Sequence, residues 1–285
     1  MITNKHSLPA PLYDAIVGDP RDTGNSDYSV TELLQPPRQL LLERKYAKMI
    51  TSDAAEQKDT FLGTAVDEAV RRRAKYPWES CERKFIEIEV DGQNFIISGE
   101  ADLYDHATHT MVDLKVPSEY EFHNPKIEKK YQLAIYRYIY SLHGYQVDAI
   151  ANALVLKDWT ILKKVFGKKD YAPVPMVMHY WDDVPSLEWT EEFIKERIRL
   201  HRDATEDTLC SDADRWIENK FAVMNESGDR AIKKGTFDTE EAAEGFRDTL
   251  EDPTLHDIQF RQGEPRRCQW FCSASPFCAQ WLGES

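Results

Sequence analysis

The stretch from Lys84 to Val116 constrains this chain more than any other. "KFIEIEVDGQNFIISG" alternates apolar and polar residues around Asp91–Gly92, a pair that favours the tight turn of a β-hairpin. "GEADLYDHATHTMVDLKV", Gly99 to Val116, follows at once and reads as two short strands around the polar turn "DHATHT". Side chains alternate faces along a strand. Val112, Leu114 and Val116 therefore share one face, and Met111, Asp113 and Lys115 the other. By the same count Ala101 and Leu103 oppose Glu100, Asp102 and Tyr104. The result is a sheet with acids on two neighbouring strands.

Those acids are the anomaly. Like charges directly opposite each other destabilise a strand pair, and nearby carboxylates raise each other's pKa unless something neutralises them. A divalent cation does so, and Mg²⁺ favours one or two carboxylates together with waters and phosphate oxygens. The pattern nominates Asp102 and Asp113 as a ligand pair, with Glu100 a helper and Lys115 beside them. Acids, metal and lysine together suit water-driven cleavage of a phosphodiester, the lysine acting as an electrostatic stabiliser. A solvated hairpin face accounts for Glu100 and Lys115 singly; it accounts less well for acids on both strands.

Around this hairpin the pattern is helical. "SVTELLQPPRQLLLERKYAKMI" reads as two helices broken at Pro36–Pro37. "DAAEQKDTFLGTAVDEAVRRRA" reads as a third, with Gly63 allowing close approach. "NPKIEKKYQLAIYRYIYSLHG" is amphipathic and stops at Gly144. "QVDAIANALVLKDW" and "VPMVMHYW" read as strands, and "SLEWTEEFIKERIRLHRDA" as a helix. Past Asp203 come a hairpin about Ser227–Gly228 and a helix capped near Asp238. The chain divides into an N-terminal arm (1–27), a core (28–203), and a small α/β insertion with a cysteine tail packing on the core (204–285).

The formal net charge of −14 argues against a protein that coats nucleic acid non-specifically, but leaves room for one that grips it in a local groove. Basic clusters exist at Arg71–Arg73, at Lys126, Lys129 and Lys130, at Lys163, Lys164, Lys168 and Lys169, and at Arg266–Arg267. Taken singly, each reads first as solvated surface. No apolar run approaches the roughly 20 residues of a membrane span, and "MITNKHSLPAPLYDAIVGDP" has no basic region leading into an apolar core. The expected compartment is the cytoplasm, with no membrane partner. There, a cluster such as Cys268, Cys272 and Cys278 is more often metal-binding than disulfide-forming. Cys81 and Cys210 stand alone and read as buried small side chains.

The order of these features resembles the PD-(D/E)XK nuclease superfamily, and within it the RecB-like branch of phage exonucleases and iron–sulfur nucleases of CRISPR adaptation. The similarity runs from about Ser29 to Tyr140 and returns at Cys268–Cys278. It implies an α/β (α+β) restriction-endonuclease-like core, a central mixed sheet flanked by helices. "SGEADLYD" resembles the G-x-x-D motif, which would make Asp102 a metal ligand. "VDLKV" resembles the D-x-K motif, which would make Asp113 the second ligand for Mg²⁺ or Mn²⁺ and Lys115 the catalytic lysine. "YQLAIYRYIY" resembles the Q-x-x-x-Y helix, placing Gln132 and Tyr136 on DNA, with Lys129 and Lys130 on the same helix. The activity implied is a metal-dependent deoxyribonuclease, an exonuclease of DNA recombination or processing acting with a recombination partner protein. The alternative is a catalytically weak DNA-end-binding or protein-interaction module on the same fold. Two departures stand out. "GTAVDEAV" carries Asp67 where the branch often has a histidine ligand, so Asp67 is either a third ligand or a helix-surface acid. The tail resembles the branch's cysteine cradle for a [4Fe–4S] cluster, yet Pro36 stands where an N-terminal cysteine is usual. Cys210 is the fourth ligand this reading favours, with zinc or an empty, reduced relic as the alternatives; Arg266 and Arg267 would offset the thiolate charge.

Overall fold

The computed structural model describes residues 1–18, 24–167 and 170–283; Lys168 and Lys169 lie outside them. The protein is mixed α/β, with twelve α-helices and four sheets among the described residues. It divides into two compact units. The first comprises Met1–Gln35 and Thr51–Asp203, the second Pro36–Ile50 and Ala204–Ser285. Helix Pro37–Lys45, assigned to the core from sequence, thus belongs with the C-terminal segment. The stretch read as an arm carries helix Ala10–Val17, and strand Ile2–Thr3 pairs in parallel with Ser52–Asp53.

The first unit centres on a five-stranded sheet in the order Met176–Tyr180, Ala149–Val155, Thr110–Lys115, Leu103–Asp105, Trp78–Ser80. The sheet is mixed: only Thr110–Lys115 and Ala149–Val155 run parallel. Parallel neighbours need a crossover, which the helix Ile127–Leu142 supplies. Leu133, Ile135 and Ile139 of that helix are fully buried. On its other side Tyr131 packs on Trp189 and Phe193 of helix Leu187–Arg202.

The hairpin Lys84–Val90 and Gln93–Gly99 forms as expected, with Asp91 and Gly92 at φ 51° and 78° in the left-handed region that a two-residue turn requires. It does not continue into the five-stranded sheet, however. It makes a separate sheet with Tyr28–Ser29. The chain leaves one sheet at Gly99 and enters the other at Leu103, so Glu100 and Asp102 sit in the bend between them rather than in a strand. One other reading needs correction. A methyl group at Gly63 would meet nothing within 4 Å, so that glycine serves no close approach. Helix Glu240–Arg247 is capped beside Asp238, as expected, by Thr239, whose hydroxyl accepts from the Ala242 amide. The second unit also holds a strand the sequence did not reveal, Ile258–Arg261, pairing with Lys220–Met224.

Gly99 is the glycine this architecture needs. A Cβ there would stand 2.8 Å from Ile139 Cδ1, 2.9 Å from Val30 Cγ2 and 3.0 Å from Tyr136 Cδ1. Gly99→Ala is expected to cost about 1–3 kcal/mol by overpacking, read as a lowered urea midpoint. An unchanged midpoint would mean the bend relaxes freely.

Candidate functional site

The site is built where the two strands of the acid-bearing hairpin open. Leu103 pairs with Val112, so Asp102 is the next residue out, facing Asp113. Its Oδ2 accepts from the Leu114 amide at 2.6 Å, which ties the bend to the second strand. Asp113 is buried at 3% exposure. A buried carboxylate needs partners, and it has them. Lys115 Nζ lies 2.7 Å from its Oδ2, and Asn152 Nδ2, paired opposite it on the neighbouring strand, donates to the same oxygen at 2.9 Å. Trp181 Nε1 in turn donates to Asn152 Oδ1 at 2.8 Å, fixing which way the amide points. Asn152 was legible as the one polar residue inside "AIANALV", and Trp181 had no signal of its own.

The apolar faces follow the alternation read from sequence. Leu103, Val112 and Ala151 form a buried cluster joined by Leu114, Ala153 and, from helix Lys58–Arg71, Val70. That helix thereby places its polar edge over the acids. Asp67 lies one turn before Arg71, whose Nε is 4.0 Å from Asp67 Oδ1. The Arg71 guanidinium also reaches Glu100 Oε1 at 2.5 Å and Asp102 Oδ1 at 3.8 Å. Arg83 holds the other Glu100 oxygen at 3.1 Å. Arg71, read first as solvated surface, is instead inside the cleft; its neighbour Arg72 is the exposed one. Neither Arg71 nor Arg83 had been singled out from sequence, because one was lost in a basic run and the other stood alone.

The electrostatics are strained in a specific direction. Burial first, then the Asp113 charge, push the Asp102 carboxyl up to about 7, against the opposing pull of the Leu114 amide. Burial works against the charge of Arg71, yet Asp67, Glu100 and Asp102 more than offset it and raise its pKa. Helix Ile127–Leu142 brings Tyr136 to the same cleft, and the Gln132 amide donates to its hydroxyl at 3.1 Å. Burial, reinforced by the Asp113 and Asp102 charges, raises the Tyr136 pKa. Lys129 is engaged with Glu121 at 2.6 Å, and burial lowers its pKa. Lys130 is half-buried on the same helix. A cleft of about 460 Å³ joins Asp67, Arg71, Arg83, Glu100, Asp102 and Tyr136.

The second unit holds the other candidate centre. Cys210, Cys268, Cys272 and Cys278 all line one small cavity. Gln280 pins Cys210 there, accepting from its amide at 2.9 Å and donating to its carbonyl at 3.0 Å. Arg38 is 3% exposed and donates through Nε to Cys278 Sγ at 3.2 Å. The arginine on the sulfur therefore comes from "PPR", not from the tail. Arg266 lies 3.9 Å from Glu218, and Arg267 covers the Trp216 ring at 4.4 Å. Phe277 stacks on Tyr46, Trp281 packs against the cluster of Leu42, Ala274 and Cys278, and Trp270 and Phe271 are exposed. Burial pushes the Cys210 thiol up to about 12 and the Cys272 thiol up to about 11, with the neighbouring cysteines adding to both. Cys81 lies elsewhere, buried in the first unit. Among the described residues, no group of three or more His, Cys, Asp or Glu side chains is already arranged to hold a metal ion, and none of the helices is long and apolar enough to cross a membrane.

No family model and no curated protein matches the chain. Among solved structures it is similar to one described as "Crystal structure of SSO0001", with 17% identity over 67% of this chain and 85% of that one, at a TM-score of 0.49. A likeness at that level carries no argument here.

Proposed function

We propose that this protein is a Mg²⁺- or Mn²⁺-dependent deoxyribonuclease on a PD-(D/E)XK core, a RecB-like exonuclease acting in DNA recombination or processing. One observation carries the reading: Asp102 and Asp113 face each other at the mouth of one hairpin, with Lys115 on the Asp113 carboxylate. The donor set fits a hard divalent cation, because two close, poorly solvated carboxylates are what such an ion stabilises best. Asp102 and Asp113 would hold it, with Asp67 and Glu100 near. Bound there, the ion would supply Lewis-acid charge and a more acidic water. The remaining work falls to the chain. Asn152 and Trp181 hold Asp113 in one orientation. Lys115 neutralises Asp113 at rest and stands ready to stabilise charge developing on a phosphate. Gln132 and Tyr136 present polar groups to a strand lying along the helix. Lys130 adds a phosphate contact, whereas Lys129 must first leave Glu121.

A second reading has its own support. Arg71 and Lys115 already cover the acids with ion pairs, as they would in a catalytically weak DNA-end-binding or protein-interaction module. Purified protein with labelled linear duplex, labelled single strand and circular plasmid separates the two. Products from at least one substrate with Mn²⁺, and none with EDTA, are expected. Tight binding insensitive to EDTA, without products, would favour the binding module. Loss of linear substrates alone indicates an exonuclease, and nicked plasmid an endonuclease.

The tail reads as a structural soft-metal centre, since thiolates select zinc or iron–sulfur over Mg²⁺. Cys268, Cys272, Cys278 and Cys210 would be its ligands, holding either Zn²⁺ or a [4Fe–4S] cluster.

A further inference from the structure

We propose that Arg71 is the resident counter-ion of the acidic cleft and competes with the divalent cation for its carboxylates. The inference rests on the cation reading above and asks what sets the affinity of that site. Arg71 is the last residue of helix Lys58–Arg71, and its guanidinium lies within 4.0 Å of Asp67, Glu100 and Asp102 at once. It also donates to the Cys81 carbonyl at 2.6 Å, which anchors it to the chain just before the hairpin Lys84–Gly99. The contrast with Arg72 is informative. Among the described residues Arg72 pairs with Glu68 one helical turn away, and its side chain is 75% exposed against 21% for Arg71. One arginine of the basic run is spent on the surface and the other on the cleft.

The charge balance gives the contact its consequence. Asp67, Glu100, Asp102 and Asp113 face Arg71, Arg83 and Lys115, so three cations already offset most of the charge of these four carboxylates, while Glu32 adds a fifth to the cleft wall. Both carboxylates nominated as ligands already have a cationic partner: Asp113 has Lys115, and Asp102 has Arg71. A divalent cation entering between them adds two positive charges beside a guanidinium, in surroundings where charge is poorly screened. Arg71 must therefore yield Asp102 while keeping Glu100, or the cation binds against its repulsion. Either way, removing the guanidinium charge tightens cation binding. Lys115 does not play this part alone, because its ion pair is with Asp113 and it acts on Asp102 from farther away, whereas Arg71 bridges three acids.

The test is a Mn²⁺ titration of the full chain followed by loss of the free-ion electron paramagnetic resonance signal, which reads binding without any cleavage. Arg71→Gln should bind Mn²⁺ at least about five-fold tighter, at the low end of typical coupling between sites. Arg71→Lys should fall between it and the unaltered chain, and Arg72→Gln should match the unaltered chain. If Arg71→Gln unfolds without metal, Mn²⁺ should raise its melting temperature by more than it raises that of the unaltered chain; if it does not fold even then, Arg71→Lys carries the measurement. Equal or weaker Mn²⁺ affinity in a folded Arg71 variant overturns the inference. The cation reading is tested separately by Asp113→Asn, which should abolish Mn²⁺ binding. Binding that depends on Asp113 but not on Arg71 removes only this inference, and no binding in any variant removes both.

Discussion

Asp113→Asn is expected to lower Mn²⁺-dependent DNA cleavage by at least about 10²–10³-fold, the range for losing one preorganised charge at a reaction centre, with a melting temperature close to that of the unaltered chain. The asparagine keeps the shape of Asp113 and can still accept from Asn152, while relieving the repulsion that adds to burial in pushing Asp102 up to about 7. Loss of activity without loss of fold is what separates a ligand from a structural acid. Lys115→Met should lower cleavage by a similar factor but will not be silent for stability. It leaves the buried Asp113 charge with Asn152 alone, which costs about 1–3 kcal/mol. Its melting temperature should therefore recover when Mn²⁺ supplies the missing positive charge. Undiminished cleavage in both variants would end the nuclease reading.

How much of this was legible in the sequence depends on the range of the interaction. Period-two alternation fixes faces within a strand, so the split of Leu103, Val112 and Leu114 from Asp113 could be read directly. Asp91–Gly92 could be read because the turn demands positive φ from both residues. What alternation cannot reveal is where a strand stops. Glu100 and Asp102 fit the period, yet the chain bends there to change sheets, and only the packing of Gly99 against Val30, Ile139 and Tyr136 shows why. The arginines were hidden for a different reason. Nothing local distinguishes Arg71 from Arg72 and Arg73 within "VRRRA"; helix phase decides it, and the phase depends on which face Val70 buries. Arg38 stands two residues after Pro36, where the cysteine is missing, and donates to a cysteine sulfur. Pairings between residues more than 200 positions apart, such as Arg38 with Cys278, leave no trace in either neighbourhood.

Anaerobically purified protein is expected to carry either one zinc, colourless, or iron with sulfide and a brown absorption band, and to lose it together with stability in Cys268→Ser and Cys278→Ser. The core there is small. Leu42, Ala274 and Cys278 are its buried members, with Tyr46, Cys272 and Trp281 around them, so two of the side chains that make this cluster are themselves candidate ligands. A metal joining Cys210 to the tail would close a long loop, and structural zinc in small domains contributes about 10–16 kcal/mol of apparent folding energy. Even a fifth of that would move melting by about 10 °C. Arg38 favours a metal there as well. A buried guanidinium needs an anion, and the Glu206 and Thr208 carbonyls to which Arg38 also donates satisfy its geometry but not its charge. Metal binding would bring thiolate charge to Arg38 and complete the pair, whereas burial favours the protonated form of the free Cys210 and Cys272 thiols. Arg38→Met should therefore weaken metal retention while leaving all four cysteines in place, read as faster loss of metal to a chelator. Neither metal in the purified protein, together with unchanged melting in both serine variants, would leave the four cysteines as reduced thiols packed against helix Pro37–Lys45.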